Sequence, residues 1–151
     1  MKLKATIIDI ICLFYILLFV YAAVSKLLDF ETFRVQLGQS PMLTNFKGLV
    51  AYGVPSIELA LALLLIVKKF RIPALYASLG LMMAFSMYII AILNFSDHIP
   101  CSCGGVLEQL GWTEHLVFNI VFMFLAVIAI ILESNNISTI HEKNIKQYIK
   151  T

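Results

Sequence analysis

Four apolar segments, each about 20 residues long, constrain this chain more than any other feature of its sequence. They run from about 5 to 24, 48 to 67, 74 to 95 and 115 to 132. About 20 residues of helix, at about 1.5 Å each, cross the roughly 30 Å hydrocarbon core of a bilayer. The four segments are apolar all round, whereas a helix of a soluble bundle is apolar along one face. We therefore expect an all-α integral membrane four-helix bundle, forming a single domain over 1–151.

The composition agrees with a membrane protein. Hydrophobic residues make up 61% of the chain and charged residues 13%, whereas an ordinary soluble domain carries about a quarter charged residues. The net charge is only +2 and no basic patch interleaves with aromatic residues, so we expect no nucleic-acid partner. The first apolar segment is longer than the roughly 7 to 15 residues of a signal-peptide core, which favours a retained helix.

The distribution of lysine and arginine predicts the orientation of the bundle. Eight of the eleven basic residues lie before the first segment, between the second and third, or after the fourth. Basic residues are enriched on the cytoplasmic side of membrane proteins. We therefore expect both termini, including a tail over 133–151, to be cytoplasmic in a bacterial inner (cytoplasmic) membrane. The connections 25–47 and 96–114 are then extracytoplasmic.

Three local features predict departures from four straight membrane helices. In the first outer connection, apolar residues at helical spacing predict a short amphipathic helix at the membrane interface. Pro55, inside the second segment, lacks an amide donor and predicts a kink. The tail after Glu133 is polar with scattered isoleucines, which is typical of a short surface helix or a disordered tail.

The second outer connection, "HIPCSCGGVLEQLGW" at 98–112, contains two of the three cysteines. In an extended chain the Cα atoms of Cys101 and Cys103 would stand about 6.6 to 7.2 Å apart, at or beyond the about 4.4 to 6.8 Å usual in disulfides. A bond between them requires a turn, which Gly104 and Gly105 make easy. Strained, exposed disulfides are easily reduced, so we interpret the two cysteines as an exchanging pair.

Two other uses of the same sulfurs remain open. The first is an inert clasp within the loop. The second is a soft-ligand site for copper(I) or zinc, with His98 or His115 beside the cysteines. The third cysteine, Cys12, lies about 18 Å along its helix from the outer end of the first segment. We expect it to be a small buried apolar residue.

Polar residues inside the apolar segments are costly unless they have partners. Glu58 lies in the outer half of the second segment, and its expected partner is Lys26 at the outer end of the first. His115 and Asn119 are one helical turn apart, so they are expected to share one face of the fourth segment. The position of each residue along its own segment, counted from the predicted outer end, places Glu58, His115, Asn119 and the cysteines in the outer leaflet of the membrane.

The segments "SKLLDFETF", "PSIELALALLL" and "CSCGGVLEQLGW" followed by "HLVFN" resemble the MauE branch of the DoxX-like membrane proteins. The resemblance covers most of 7–132. It implies a four-helix membrane bundle that helps extracytoplasmic disulfides form in a client, alongside a thioredoxin-like partner. The matching positions are Lys26, Glu58, Cys101, Cys103, His115 and Asn119.

The layout is also similar to vitamin K epoxide reductase and DsbB, which pass electrons from thiols to a quinone. This chain departs from both, because it has CxC in place of CxxC and no second outer cysteine pair. A shuttle pair would therefore have to come from another protein.

The leading hypothesis is a membrane thiol–disulfide redox protein that acts on a thioredoxin-like extracytoplasmic protein or a secreted client. Cys101 and Cys103 would exchange, and His98 or His115 would carry protons, since histidine titrates near neutral pH. Glu58, Asn119 and Lys26 would line a cleft for a small electron acceptor, a quinone being one candidate. The alternatives are a non-catalytic partner subunit with a structural CxC clasp, and copper or zinc handling.

Overall fold

The computed structural model describes residues 2–39, 43–95 and 111–149, with side chains described over 3–39, 43–94 and 111–135. Over these ranges the chain is helical, with no strand. The α-helices are α1 (Lys2–Leu28), α2 (Phe30–Gln39), α3 (Lys47–Ile66), α4 (Arg71–Phe95) and α5 (Trp112–Ile149), and short 3-10 turns, Thr44–Phe46 and Lys68–Phe70, precede α3 and α4.

Four segments of the described chain are helical, long and apolar enough to cross a membrane. They are Leu3–Leu28, Thr44–Ile66, Lys68–Asn94 and Trp112–Asn135. The prediction of an all-α, four-helix membrane protein is therefore confirmed. α1 and α4 extend a few residues beyond their predicted apolar runs, and α3 differs from its run by one residue at each end. α5 begins three residues before its run and continues well past it.

The four long helices pack as two pairs. α1 packs most extensively against α3, and α4 against α5, while smaller interfaces join α1 to α5 and α3 to α4. We call the end where α1 and α4 finish and α3 and α5 begin the loop end. The opposite end, where α1 and α4 begin, is the tail end.

A packed apolar core fills the middle and the tail end of the bundle. Its members come from α1, α3, α4 and α5, and the largest fully buried ones include Tyr15, Phe19, Leu65 and Leu75. Tyr15 also donates a hydrogen bond from its hydroxyl to the carbonyl oxygen of Phe122, 2.7 Å away, which joins α1 to α5. Cys12 is 2% exposed within this core, so its prediction as a buried apolar residue is confirmed.

The short helix predicted after the first span is present as α2. Its apolar face packs onto the bundle, because Phe33 and Leu37 are buried in a cluster with Ala51 of α3. The Thr44 hydroxyl donates to the carbonyl oxygen of Gly38 at 3.0 Å, which fixes the C-terminal part of α2 near the start of α3. The placement of α2 at a membrane interface stays a prediction.

The structure corrects the prediction for the tail. α5 runs from Trp112 to Ile149 as one helix of 38 residues, so the residues after Glu133 form neither a separate surface helix nor a disordered tail up to 149. The physical reason lies in the sequence, since 133–149 contains no glycine or proline, the two residues that most disfavour a helix. α3 likewise continues through Pro55, and the predicted kink stays a prediction.

Candidate functional site

A cavity of about 240 Å³ lies at the loop end, and all five helices contribute to its wall. Phe19 and Met82 belong to both the cavity lining and the packed core, so the core forms the floor of the cavity. Most of the lining is apolar or aromatic, including Phe33, Leu37, Val54, Phe85, Tyr88, Trp112 and Phe118. Polar groups occur in this lining at a few positions only, and these include the residues singled out in the sequence.

An ion pair between α1 and α3 forms one side of the cavity. The Lys26 ammonium lies 2.8 Å from Oε1 and 3.2 Å from Oε2 of Glu58. The Lys26 and Glu58 side chains are 13% and 1% exposed. A single charge inside a membrane is costly, whereas paired charges are tolerated. The predicted pairing of Glu58 with Lys26 is therefore confirmed.

The position of Lys26 in α1 helps to explain how its charge is held. Lys26 lies in the last turn of α1, where the helix dipole favours a cation. Its ammonium also donates to the carbonyl oxygen of Ala22 at 3.2 Å and lies 6.0 Å from the centre of the Phe33 ring of α2. Lys26 thus contacts α2 and α3 from the end of α1.

His115 and Asn119 of α5 both line the cavity, so the prediction that they share a face is confirmed. α5 begins beside Gly111, whose carbonyl oxygen accepts a hydrogen bond from the His115 amide at 3.0 Å. Asn119 is 2% exposed. Among the described residues, its side-chain nitrogen Nδ2 has no hydrogen-bond partner. A buried amide without a partner is unusual and costs free energy, so packing alone does not explain an asparagine at this position.

Three predicted site residues, Cys101, Cys103 and His98, lie outside the described residues, so their roles stay predictions. The segment that carries them joins α4 to α5, and both helices line the cavity near these ends, through Tyr88 and Trp112. In the described part of the chain, no three or more His, Cys, Asp or Glu side chains come together to hold a metal ion. The metal alternative depends on the cysteines and is therefore open.

Sequence reasoning missed two walls of this cavity. It assigned no site residue to α4, which contributes Met82, Phe85 and Tyr88, because the third apolar run carries no charged side chain to mark a site. Phe33 and Leu37 of α2 were noticed for their helical spacing, but that spacing predicted contact with the membrane interface. In the structure both side chains face the bundle and line the cavity.

Comparison with known proteins identifies the family. The family profile described as "Methylamine utilisation protein MauE" matches residues 4–132. The curated protein named "Methylamine utilization protein MauE" from Paracoccus denitrificans is 32% identical over 104 residues, which cover 66% of this chain and 56% of that relative. The match thus spans little more than half of the relative's length. No solved structure matches the chain significantly. Since the family profile covers most of the chain and all four described polar positions of the cavity, this multi-pass membrane protein belongs to the MauE family.

Proposed function

We propose that this protein is a membrane accessory protein for thiol–disulfide exchange, in which Cys101 and Cys103 support disulfide formation or electron transfer outside the cytoplasm. One observation carries the proposal. Lys26, Glu58, His115 and Asn119 meet in a single cavity at the end of the bundle where the cysteine-bearing segment leaves α4 and enters α5. A buried ion pair and an unpartnered amide are costly in a membrane, so their clustering favours a functional site over a structural one.

Chain connectivity supports communication between the cysteines and the cavity. Cys101 follows Phe95 by six residues and Cys103 precedes Gly111 by eight. At about 3.3 to 3.6 Å per residue, these tethers cannot exceed about 22 Å and about 29 Å. Each cysteine is therefore tethered within these distances of a helix terminus at the loop end, which allows contact with a group bound in the cavity.

The proposed reaction is exchange through a mixed disulfide. A thiolate of a thioredoxin-like partner or secreted client attacks one sulfur of a Cys101–Cys103 disulfide, and the other cysteine leaves as a thiolate. A second thiolate of the partner then displaces the first cysteine, so the partner is oxidised and the CxC pair is reduced. Reoxidation sends two electrons and two protons to an acceptor, with His115 or His98 as a proton carrier.

The setting of this reaction is part of the proposal. Both termini face the cytoplasm of a bacterial inner membrane, because eight of eleven basic residues lie on that side. The loop end is then extracytoplasmic, where disulfides form and persist. The Paracoccus relative is named for methylamine utilisation, and we propose that the client here is a secreted protein of such a system.

Trapping of the mixed disulfide tests the exchange. Cys101→Ser and Cys103→Ser are expressed singly in membranes of the native host, and the full-length protein is examined under non-reducing conditions. At least one variant should give a reducible adduct that contains a thioredoxin-fold protein or a secreted client, identified by mass spectrometry. The double variant should give none.

Cys12→Ser is the matched control, because Cys12 is a free thiol buried in the tail-end core. It should leave the adduct unchanged. The non-catalytic clasp predicts lower stability of the cysteine variants and no adduct. Metal handling predicts stoichiometric copper or zinc in the purified protein that disappears in the double cysteine variant. Either of these results would overturn the exchange mechanism.

A further inference from the structure

Among the polar groups that line the cavity, Asn119 carries a buried hydrogen-bond donor with no partner in the described part of the chain. Lys26 has three N–H bonds, and its ammonium already contacts the Ala22 carbonyl oxygen and both carboxylate oxygens of Glu58. Asn119 differs, because its Nδ2 is buried and no partner for it lies among the described residues. A ligand that satisfies this amide must present an acceptor oxygen.

The charge of the cavity favours a neutral ligand. Lys26 and Glu58 neutralise each other at 2.8 Å, so the pair offers no net charge to an ion. The remaining lining is mainly apolar and aromatic, with Phe85, Trp112 and Phe118 among its members. Aromatic walls of this kind pack against flat rings. A charged or strongly polar solute would lose its hydration here without a compensating partner.

The size and position of the cavity restrict the ligand further. Its volume of about 240 Å³ is below the about 300 to 1,000 Å³ of pockets that hold drug-sized molecules, so it suits a small ring system. Tyr21 and Ala84 line the cavity and are also exposed on the outer surface of α1 and α4. That surface belongs to membrane-spanning helices, so a ligand can enter from the lipid.

We propose that this cavity binds a lipid-soluble ring compound with carbonyl oxygens, of the quinone class, and that Asn119 Nδ2 donates a hydrogen bond to one carbonyl. Binding depends only on the described cavity. The role of the ligand as electron acceptor rests on the proposed function. In that role, two S–H bonds of Cys101 and Cys103 break and one S–S bond forms. The two electrons and two protons released convert the two ring carbonyls to hydroxyls, which gives the hydroquinone.

Trp112 provides a direct readout of binding. It is the chain's single tryptophan and lines the cavity, so a quinone bound there should quench its fluorescence. The full-length protein in lipid nanodiscs is titrated with menadione and with a short-chain ubiquinone, which separate naphthoquinone from benzoquinone preference. Methylnaphthalene has the carbon skeleton of menadione without its oxygens, and its binding is measured beside that of menadione by calorimetry. We expect saturable quenching by at least one quinone and much weaker binding of methylnaphthalene.

Substitution of the donor tests the role of Asn119. Asn119→Leu should raise the Kd of the bound quinone by about tenfold, the usual worth of one buried hydrogen bond. The matched control is Asn94→Leu, because Asn94 is an exposed asparagine of α4 whose amide donates to the Ile90 carbonyl oxygen. Its Kd should equal that of the unmodified protein.

A second pair of variants tests the location of the ligand independently of Asn119. Ala22→Phe adds a ring to the cavity wall and should abolish quenching. Ala60→Phe makes the same change at an exposed position of α3 outside the cavity and should have no effect. Absence of saturable quenching, equal affinity for methylnaphthalene and menadione, or an unchanged Kd in Asn119→Leu would each overturn the proposal.

The same titration separates this inference from the proposed function. The double cysteine variant should bind the quinone normally, because it keeps Asn119 and every other residue of the described cavity lining. Normal binding together with a client that is still oxidised in that variant would refute the exchange mechanism and leave the binding site intact. A trapped mixed disulfide in a protein that binds neither quinone would refute the ligand and leave exchange intact.

Discussion

The two ends of the bundle each contain an interhelical ion pair, and the surroundings of the two pairs differ. At the tail end, Arg71 Nη1 of α4 lies 2.9 Å from Oδ1 of Asp9 of α1, and the Asp9 side chain is 51% exposed. At the loop end, Lys26 is bound to Glu58, whose side chain is only 1% exposed. The tail-end carboxylate can therefore be solvated, whereas the loop-end carboxylate depends on Lys26 alone among the interactions described above. Burial of a pair gains little net stability, so the loop-end pair is better explained by the cavity beside it.

The packing of the side chains also differs between the two ends of the bundle. The tail-end core contains fully buried side chains such as Ile8, Leu65 and Leu75. The loop end contains a cavity of about 240 Å³, and an empty space costs the dispersion contacts that would have filled it. We therefore expect the tail end to contribute more to the stability of the bundle than the loop end.

Removal of Lys26 should have the largest effect. Lys26→Met leaves the Glu58 carboxylate buried without a partner, which should lower the free energy of unfolding by about 3 to 5 kcal/mol. Reversible unfolding in mixed micelles, followed by circular dichroism, measures the change. The double variant Lys26→Met, Glu58→Leu should recover most of the loss, because the unpaired charge is gone. A double variant as unstable as the single one would show that packing, and not charge, stabilises this end.

A pair of leucine truncations tests the difference in packing. Leu75→Ala removes a fully buried side chain from the tail-end core and should cost about 2 to 5 kcal/mol. Leu18→Ala, at the cavity wall, should cost less, because it enlarges a space that already exists. The same micelle unfolding assay applies to both variants. Equal losses would mean that the two ends are packed alike.

Loss of the tail-end pair should have the smallest effect. Asp9→Asn removes a carboxylate that is about half exposed, and the asparagine oxygen can still accept a hydrogen bond from the buried Arg71 guanidinium. The loss should therefore stay within the range of about 0 to 1 kcal/mol that exposed ion pairs contribute. The expected shift in unfolding free energy is therefore near the limit of measurement. A loss as large as that of Lys26→Met would remove the distinction between the two pairs.

The fold could be predicted because the bilayer imposes its requirement on each stretch of consecutive residues separately. Each span needs a length of apolar helix, and that length is visible in consecutive residues. The pairing of Lys26 with Glu58 was predictable for a related reason, since a charge within a span requires a partner and few were available. His115 and Asn119 followed from the helical repeat alone.

The remaining features depend on how the helices pack, which the sequence does not state. Arg71 was counted among the basic residues of the cytoplasmic side, but it is 8% exposed and paired with Asp9. The apolar face of α2 had two available partners, the lipid and the bundle, and helical periodicity cannot choose between them. Cys101 and Cys103 lie outside the described residues, so their roles stay predictions.

The length of α5 has a mechanical consequence. Its 38 residues correspond to about 57 Å at about 1.5 Å per residue, nearly twice the roughly 30 Å of a hydrocarbon core. Trp112 and His115 stand at one extremity of this single rod, beside the cavity. A tilt of about 5° around that extremity would shift the opposite one by about 5 Å. If the cavity binds a ligand, a small change of tilt at the cavity end of α5 would therefore appear as a displacement of several ångströms at its other end.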